Sequence, residues 1–457
     1  MHSFNHRLII VACCALLSAA ASAFNPIVQT YYTADPAPMV HNGRLYVYTS
    51  HDEDTTVRNF FSMNDWRCYS TDDMVNWTDH GSILSYKDFE WSRGDAWAGQ
   101  CVYRNGKFYY YVPVNEKKGG NAIGVAVADN PTGPFKDALG KPLLRGYGYI
   151  DPTVFIDDDD QAYLYWGNPN LWYVKLNNNM LSYDQTLGVV QEPLTKEGFY
   201  IRHKDTIKRP SSYEEGPWLY KRMDTYYLLY PAGGVPEHLA YSTAKSPTGP
   251  WTYGDTIMHV IRKGGAFTNH PGLIDFKGKT YLFYHNGALP GGGGFKRSVC
   301  VEEVTFNPDG SLPLITPTSE GVKDPLANLN PYKRTEAETM AWSQGLKTAG
   351  NATKGVHVTR IDDGDYLCVR SVDFGKGAKQ FKANLSGEWA DGRIEIRLNG
   401  VDGTLLGTCA VDKDGKPAVW STTSCRVKKI KGVHDLYLVF KGSGASSLAM
   451  DWWQFKK

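Results

Sequence analysis

Three acids stand at the same place in a repeated phrase: Asp35 in Asp35-Pro-Ala-Pro, Asp151 in Asp151-Pro-Thr-Val, and Glu215 in Glu215-Gly-Pro-Trp. In each, a proline follows within two residues and an apolar strand begins. His270, in His270-Pro-Gly-Leu, holds that place in another copy. An Asp-Pro ahead of a strand is often only a turn initiator. Three acids at equivalent repeat positions point instead to a metal site or to acid/base chemistry. Cleaving a glycosidic bond needs such a set: a carboxylic acid protonates the leaving oxygen and a carboxylate activates water. A third carboxylate close to the acid would raise its pKa by like-charge repulsion, where a solitary glutamate would be largely ionised.

The elements that must position these acids recur five times. Beginning at Asp35, Ala98, Asp151, Glu215 and His270, each unit reads as an apolar strand, a turn and an aromatic-rich strand. Asn42-Gly43 and Asn105-Gly106 supply the positive φ that tight hairpins need. Starts lie roughly 50 to 65 residues apart, which fits four-stranded propeller blades better than the shorter period of a β-solenoid. Outer-strand phrases recur between the hairpins, as in Asn-Pro-Thr-Gly-Pro-Phe (130–135) and Ser-Pro-Thr-Gly-Pro-Trp (246–251). Five units predict a five-bladed β-propeller. The innermost strand of each blade lines the central channel, so equivalent residues converge on the axis.

Composition removes several function classes. Lys+Arg number 49 against 48 Asp+Glu, which removes the basic footprint of a nucleic-acid binder. Aromatics make up 13% with 29 Tyr and 13 Trp, residues that suit both sheets and sugar rings. The start, with His6 and Arg7, an apolar run from Leu8 to Ala20 and then Ala21-Ser22-Ala23, reads as a signal peptide cleaved after Ala23. The expected destination is secreted or periplasmic; Cys13 within the run leaves lipoprotein anchoring as the lesser alternative. No later stretch approaches the length of a membrane span.

At the three acid motifs the sequence resembles glycoside hydrolase family 43, five-bladed propellers acting on arabinose- and xylose-containing polysaccharides. The likeness runs from about Phe24 to Lys323. It implies that Asp35 is the general base, Asp151 the pKa modulator and Glu215 the general acid; the family's acid directly precedes Gly-Pro, which selects Glu215 over Glu214. Trp97 matches an active-site aromatic, and Arg297 an arginine that reaches the bound sugar. His270 resembles the histidine that holds an axial calcium ion in many members. Where members show Ala-Pro-Asp or a related triplet, this chain has Ala98-Gly99-Gln100.

A proline-rich seam, Leu312 to Pro331, reads as a connector. The parts expected are a propeller over 24–323, a linker over 324–331 and a β-sandwich, jelly-roll-like, over 332–457. The last part alternates apolar and polar residues in short runs, as in Arg393-Ile-Glu-Ile-Arg-Leu. Glu336-Ala-Glu338, Gly364-Asp-Tyr366, Trp420-Ser-Thr-Thr and Asp451-Trp-Trp resemble a family 6 carbohydrate-binding module. That resemblance implies a structural Ca2+ held by Glu336, Glu338 and Asp451, and a sugar ring sandwiched by Tyr366 and Trp420. Ala449-Met450 stands where many modules carry a sugar-bonding Asn. Cys409 and Cys425 flank a turn and either bridge neighbouring strands or remain two buried thiols.

The expectation is a secreted inverting glycosidase, all-β, that releases L-arabinofuranose from plant cell-wall arabinoxylan or arabinan. A β-xylosidase uses the same three acids. A non-catalytic lectin is the alternative of another class, and the intact acids argue against it.

Overall fold

Asn42-Gly43 turns with φ of 49° and 74°, and Asn105-Gly106 with 50° and 80°, the positive pair that a two-residue hairpin requires. Between such turns the chain forms five antiparallel blades in the computed structural model, which describes residues 24–202, 209–351, 355–412 and 415–457. The predicted signal peptide, residues 1–23, lies outside the described residues. Blade 1 comprises Tyr32–His41, Arg44–Asp52, Met63–Thr71 and Trp77–Ser85. Blade 2 is built on Gln100–Arg104, Lys107–Glu116 and Asn121–Ala128, with short outer strands. Blade 3 runs from Thr153–Ile156 to Val190–Gln191, and blade 4 from Trp218–Arg222 to Thr252–Met258. Blade 5 has three strands, Gly272–Phe276, Lys279–Asn286 and Ser298–Val304.

The ring closes through the N-terminal segment, which lies along the last strand of blade 5. Ile27 N donates to Val299 O at 2.8 Å and Thr33 N to Arg297 O at 2.9 Å, while Asn25 exchanges side-chain bonds with Val301. First and last blades are thereby tied together. The heads of the five inner strands meet around an axial cavity of about 30 Å³ that Asp35, Gln100, Asp151, Gly216 and His270 all line. Most of the aromatic wealth fills the spaces between blades: Tyr48, Trp66, Tyr110, Tyr111, Tyr165, Trp166 and Tyr230 are all fully buried.

The C-terminal part is a two-sheet sandwich around Phe381, Ile394, Leu436, Trp453 and Phe455. Its second sheet is continuous with blade 1. Thr339–Met340 pairs antiparallel with Thr78 and Trp77 of the outermost blade strand, and Asn351 bridges Ser82. Gly81 permits this approach, because a Cβ there would meet Asn351 Cα at 3.0 Å and Gly350 O at 3.1 Å. The connector is held as well. Leu326 N donates to Asp73 O, and Leu329 N to Ser371 O, both at 2.9 Å.

A buried charge pair seals the junction. Arg67 Nη2 donates to both oxygens of Asp79 at 3.1 and 2.9 Å, and Thr348 Oγ1 of the module donates to Asp79 Oδ2 at 2.6 Å. The guanidinium also lies 3.8 Å over the Tyr31 ring. Removing one partner of such a pair leaves an uncompensated buried charge, at a cost of about 3–5 kcal/mol. Asp79→Ala is therefore expected to lower Tm substantially and to open the junction to limited proteolysis; an unchanged Tm and digestion pattern would show that the pair does not hold the two parts together.

Candidate active site

Asp35 reaches the axis because its strand breaks register there: the pairing with Arg44–Asp52 shifts between Ala34 and Ala37. Asp35 takes φ of 53° and Asp151 φ of 55°, a left-handed conformation that non-glycine residues adopt at some cost. Both precede a proline. In blade 4 the residue before the proline is Gly216, with φ of 52°, so Glu215 stands one position earlier than the two aspartates. The left-handed turn there falls on glycine.

The three acids and His270 converge on one pocket of about 280 Å³, which Trp97, Asn168 and Arg297 also line. Asp35 is 5% exposed. It accepts from Ser50 Oγ at 2.7 Å and from Arg297 Nη1 at 2.8 Å. Burial alone would raise its carboxyl, but Arg297, His270, His285 and Ser50 outweigh burial and hold it at about 2. Asp35 is a fixed carboxylate. Its backbone N–H donates to His285 Nδ1 at 3.1 Å, and burial followed by the Arg297 charge keeps that imidazole neutral.

His270 lies between Asp35 and Glu215. Its Nδ1 is 3.4 Å from Asp35 Oδ1 and its Nε2 3.3 Å from Glu215 Oε1. Burial disfavours its charge, yet Asp35, Glu215 and Asp151 together push the ring up to about 10. An imidazole ring plus a contact on each side thus separates the two carboxyls. Inverting glycosidases hold their two carboxyls roughly 6.5–9.5 Å apart and retaining ones about 5 Å.

The sequence led us to expect Glu215 raised by a third carboxylate. The structure distributes the effects differently. Burial, then the charge of Glu215, pushes Asp151 well above the carboxylate range, and Asp151 Oδ2 is buried without a partner. For Glu215 burial is outweighed by the hydrogen bond and charge of His270 and by the Asn168 amide, which lower it. The like-charge effect is present, and it acts on Asp151 and Glu215 as a pair, raising the first while His270 and Asn168 lower the second. Glu214 also lines the pocket, but its carboxylate is occupied by Arg202 and Arg209.

Arg297 lines the pocket, and all five of its N–H groups find protein acceptors. They go to Asp35, Thr268, Met63 Sδ and, twice, Asp52. It holds Asp35 and Asp52 in place. Trp97 is half-buried in the pocket wall, with Nε1 unpartnered. Gln100, at the departure from the usual triplet, accepts from Thr153 Oγ1 and Val154 N and donates to Val154 O. It staples blade 2 to blade 3 instead of facing substrate.

Sequence reasoning missed Asp52, Asn168, Phe60, Phe61 and Glu237. Asp52 holds Arg297, while Asn168 donates to Glu215 and accepts from Arg209 Nη2. Glu237 lines the pocket, accepts from Asn269 N at 3.0 Å, and is pushed well up by burial and then by Glu215. None of these residues lies in the repeated phrase, and the only signal near Asn168 is the Asn-Pro pair.

In the module, Glu338 is 5% exposed with Oε2 unpartnered, and burial, then Glu336, pushes it up to about 9. Arg334 bonds Glu336 at 2.8 Å and approaches Asp451 at 3.4 Å. Tyr366 packs on Tyr437, with centroids 6.0 Å apart, and Trp420 on His357 at 5.2 Å. Tyr366 begins a strand of one sheet, whereas Trp420 directly precedes Ser421–Arg426 of the other, and each ring packs on a different neighbour. Cys409 and Cys425 face one another as thiols.

Comparisons with known proteins agree with this geometry. The profile of glycosyl hydrolases family 43 matches residues 23–312, and that of carbohydrate binding module family 6 matches 336–457. An arabinoxylan arabinofuranohydrolase of Bacillus subtilis (strain 168) is 34% identical over 94% of this chain and 92% of its own. A xylosidase/arabinosidase of Thermoclostridium stercorarium is 27% identical over 93% and 97%. Among solved structures, a family 43 arabinoxylan arabinofuranohydrolase from Bacillus subtilis, crystallised with cellotetraose, superposes with a TM-score of 0.80. It is 30% identical and covers 95% of this chain and 98% of its own.

Proposed function

We propose, since this chain belongs to glycosyl hydrolases family 43 and carries a family 6 carbohydrate binding module, that it releases L-arabinofuranose from arabinoxylan by a single inverting displacement. The observation that carries the chemistry is the row Asp35–His270–Glu215, a carboxylate and an acid facing one pocket across one imidazole width. Asp35, ionised and held by Arg297 and Ser50, takes a proton from the attacking water. Glu215 passes to the leaving oxygen a proton that it shares with Asp151. Trp97 gives the pendant sugar an apolar wall. Arabinose is favoured by likeness to an arabinoxylan arabinofuranohydrolase along nearly the full length of both chains. The second reading, β-xylosidase, is supported by the relative named for both activities. Product analysis on arabinoxylan and on linear xylo-oligosaccharides separates them: arabinose from the first alone is expected, and xylose from both would favour the xylosidase.

The apolar run Leu8 to Ala20 followed by Ala21-Ser22-Ala23 supports a proposal of export. Among the described residues no helix is long and apolar enough to cross a membrane. Calcium fits two places. Asp151, Glu215 and His270 each offer a ligand atom, all within 4.8 Å of one another, and Asp151 Oδ2 lacks a partner. There His270, as a neutral ligand in place of an imidazolium, would hold the ion on the Asp151 side, leaving Glu215 free to carry its proton. In the module Glu338, whose Oε2 is unsatisfied, would hold it with Glu336 and Asp451, oxygen donors suited to a hard cation. Tyr366 and Trp420 supply the module's aromatic faces for a polysaccharide chain.

A further inference from the structure

The docked module creates a cleft that neither part has alone. About 530 Å³ in volume, it lies between Leu289 and Pro290 of blade 5, Tyr31 and Tyr32 at the entry to blade 1, and the module segment Trp342–Lys347. That volume is within the ~300–1,000 Å³ typical of ligand sites. We infer that this cleft is a second carbohydrate site, which takes the main chain of the polysaccharide whose side chain occupies the catalytic pocket. The inference rests on the polysaccharide reading above.

The lining has the chemistry of a sugar site. Tyr31, Tyr32 and Trp342 are half-buried, offering flat apolar faces with polar edges. Tyr32 OH donates to Pro290 O at 2.6 Å, and Tyr31 OH to Thr348 O, so both rings are set before any ligand arrives. Gln344 is exposed, and Gln29 bonds the Ser343 backbone at 2.9 Å. Ser343 is 4% exposed, and its Oγ has no partner. The one charged residue in the lining, Lys347, is neutralised by Asp54 at 2.9 Å. A neutral, hydroxyl-rich ligand suits this surface better than an anion.

The cleft neighbours the catalytic pocket through packed side chains. Phe60 and Phe61, which line that pocket, pack on Phe295 at 5.6 and 4.8 Å. The next residue, Lys296, places its Nζ 5.2 Å from the centre of the Tyr32 ring at the cleft wall. On the other side, Asp54 lines a cavity of about 700 Å³ that shares Phe60, Phe61 and Met63 with the catalytic pocket. Side chains in contact thus run from the catalytic pocket to the cleft, and the module contributes one wall of that cleft.

The test measures binding of linear xylohexaose, which has no arabinose to lose, to the full chain carrying Asp35→Asn, by titration calorimetry. Trp342→Ala and Tyr32→Ala remove one ring from each wall, and each is expected to weaken affinity about three- to tenfold. Gln344→Ala, on an exposed side chain, is expected to weaken it in the same direction without touching the junction. Arabinoxylan KM should rise in parallel in the otherwise native enzyme. If affinity is unchanged in Gln344→Ala and in both ring variants, or if the parent does not bind xylohexaose, the cleft is not a sugar site. Arabinose release from arabinoxylan is scored separately: its absence would sink the substrate reading, while the xylohexaose series decides this one.

Discussion

Glu215→Gln is expected to leave the fold intact and to slow hydrolysis of arabinoxylan by about 10²–10⁴-fold, the usual worth of a general acid. Glutamine keeps the size of the side chain and, through its single carbonyl oxygen, can still accept from one of Asn168 and His270, while it has no proton to give. Aryl arabinosides with good leaving groups need little protonation and should retain most of their rate. That dependence on the leaving group is the diagnostic result. Glu214→Gln serves as the control, because it disturbs two arginine pairs and not the pocket's proton. If Glu214→Gln were the variant that discriminates between leaving groups, the acid would be assigned to the wrong glutamate.

Asp35→Asn is expected to lose about as much, again on the order of 10²–10⁴-fold, but on every substrate alike. Water must be activated whatever group departs. Asparagine preserves the shape between Ser50 and Arg297, and Arg297 keeps both bonds to Asp52, so the variant should fold. Rates on arabinoxylan and on an aryl arabinoside, compared with Tm, separate lost chemistry from lost structure. A variant with normal Tm and near-native rates on the activated substrate would remove Asp35 from the role of base.

The repeat made the propeller and its acids legible before any coordinates. Asn-Gly turns, aromatic second strands and acids ahead of prolines were local signals, and the blades form where those signals stand. The shift of Glu215 relative to the aspartates was readable too, as Glu-Gly-Pro against Asp-Pro, once the left-handed residue is taken as the one before proline. The aromatic count was less informative about sugar. Tyr48, Trp66, Tyr110 and Trp166 are core, and few rings face the pocket. Asn168, Glu237 and Asp52 were invisible because they lie outside the repeated phrase and meet the site only through folding. The junction was hidden for the same reason. A proline-rich seam suggests a spacer, whereas pairing between Thr339–Met340 and Trp77–Ser85 joins strands more than 250 residues apart. Such a pairing leaves no local mark, since either edge would read the same beside solvent.

The separation across His270 makes stereochemistry the sharpest discriminator. If water attacks from Asp35 while Glu215 protonates the opposite side, one displacement occurs and the anomeric centre inverts. Proton NMR of the first product released from arabinoxylan by the native enzyme reads sugar identity and anomeric configuration together, before mutarotation blurs them. The account predicts arabinofuranose of inverted configuration. Arabinose of retained configuration would contradict the mechanism, and xylose as the sole product would contradict the substrate.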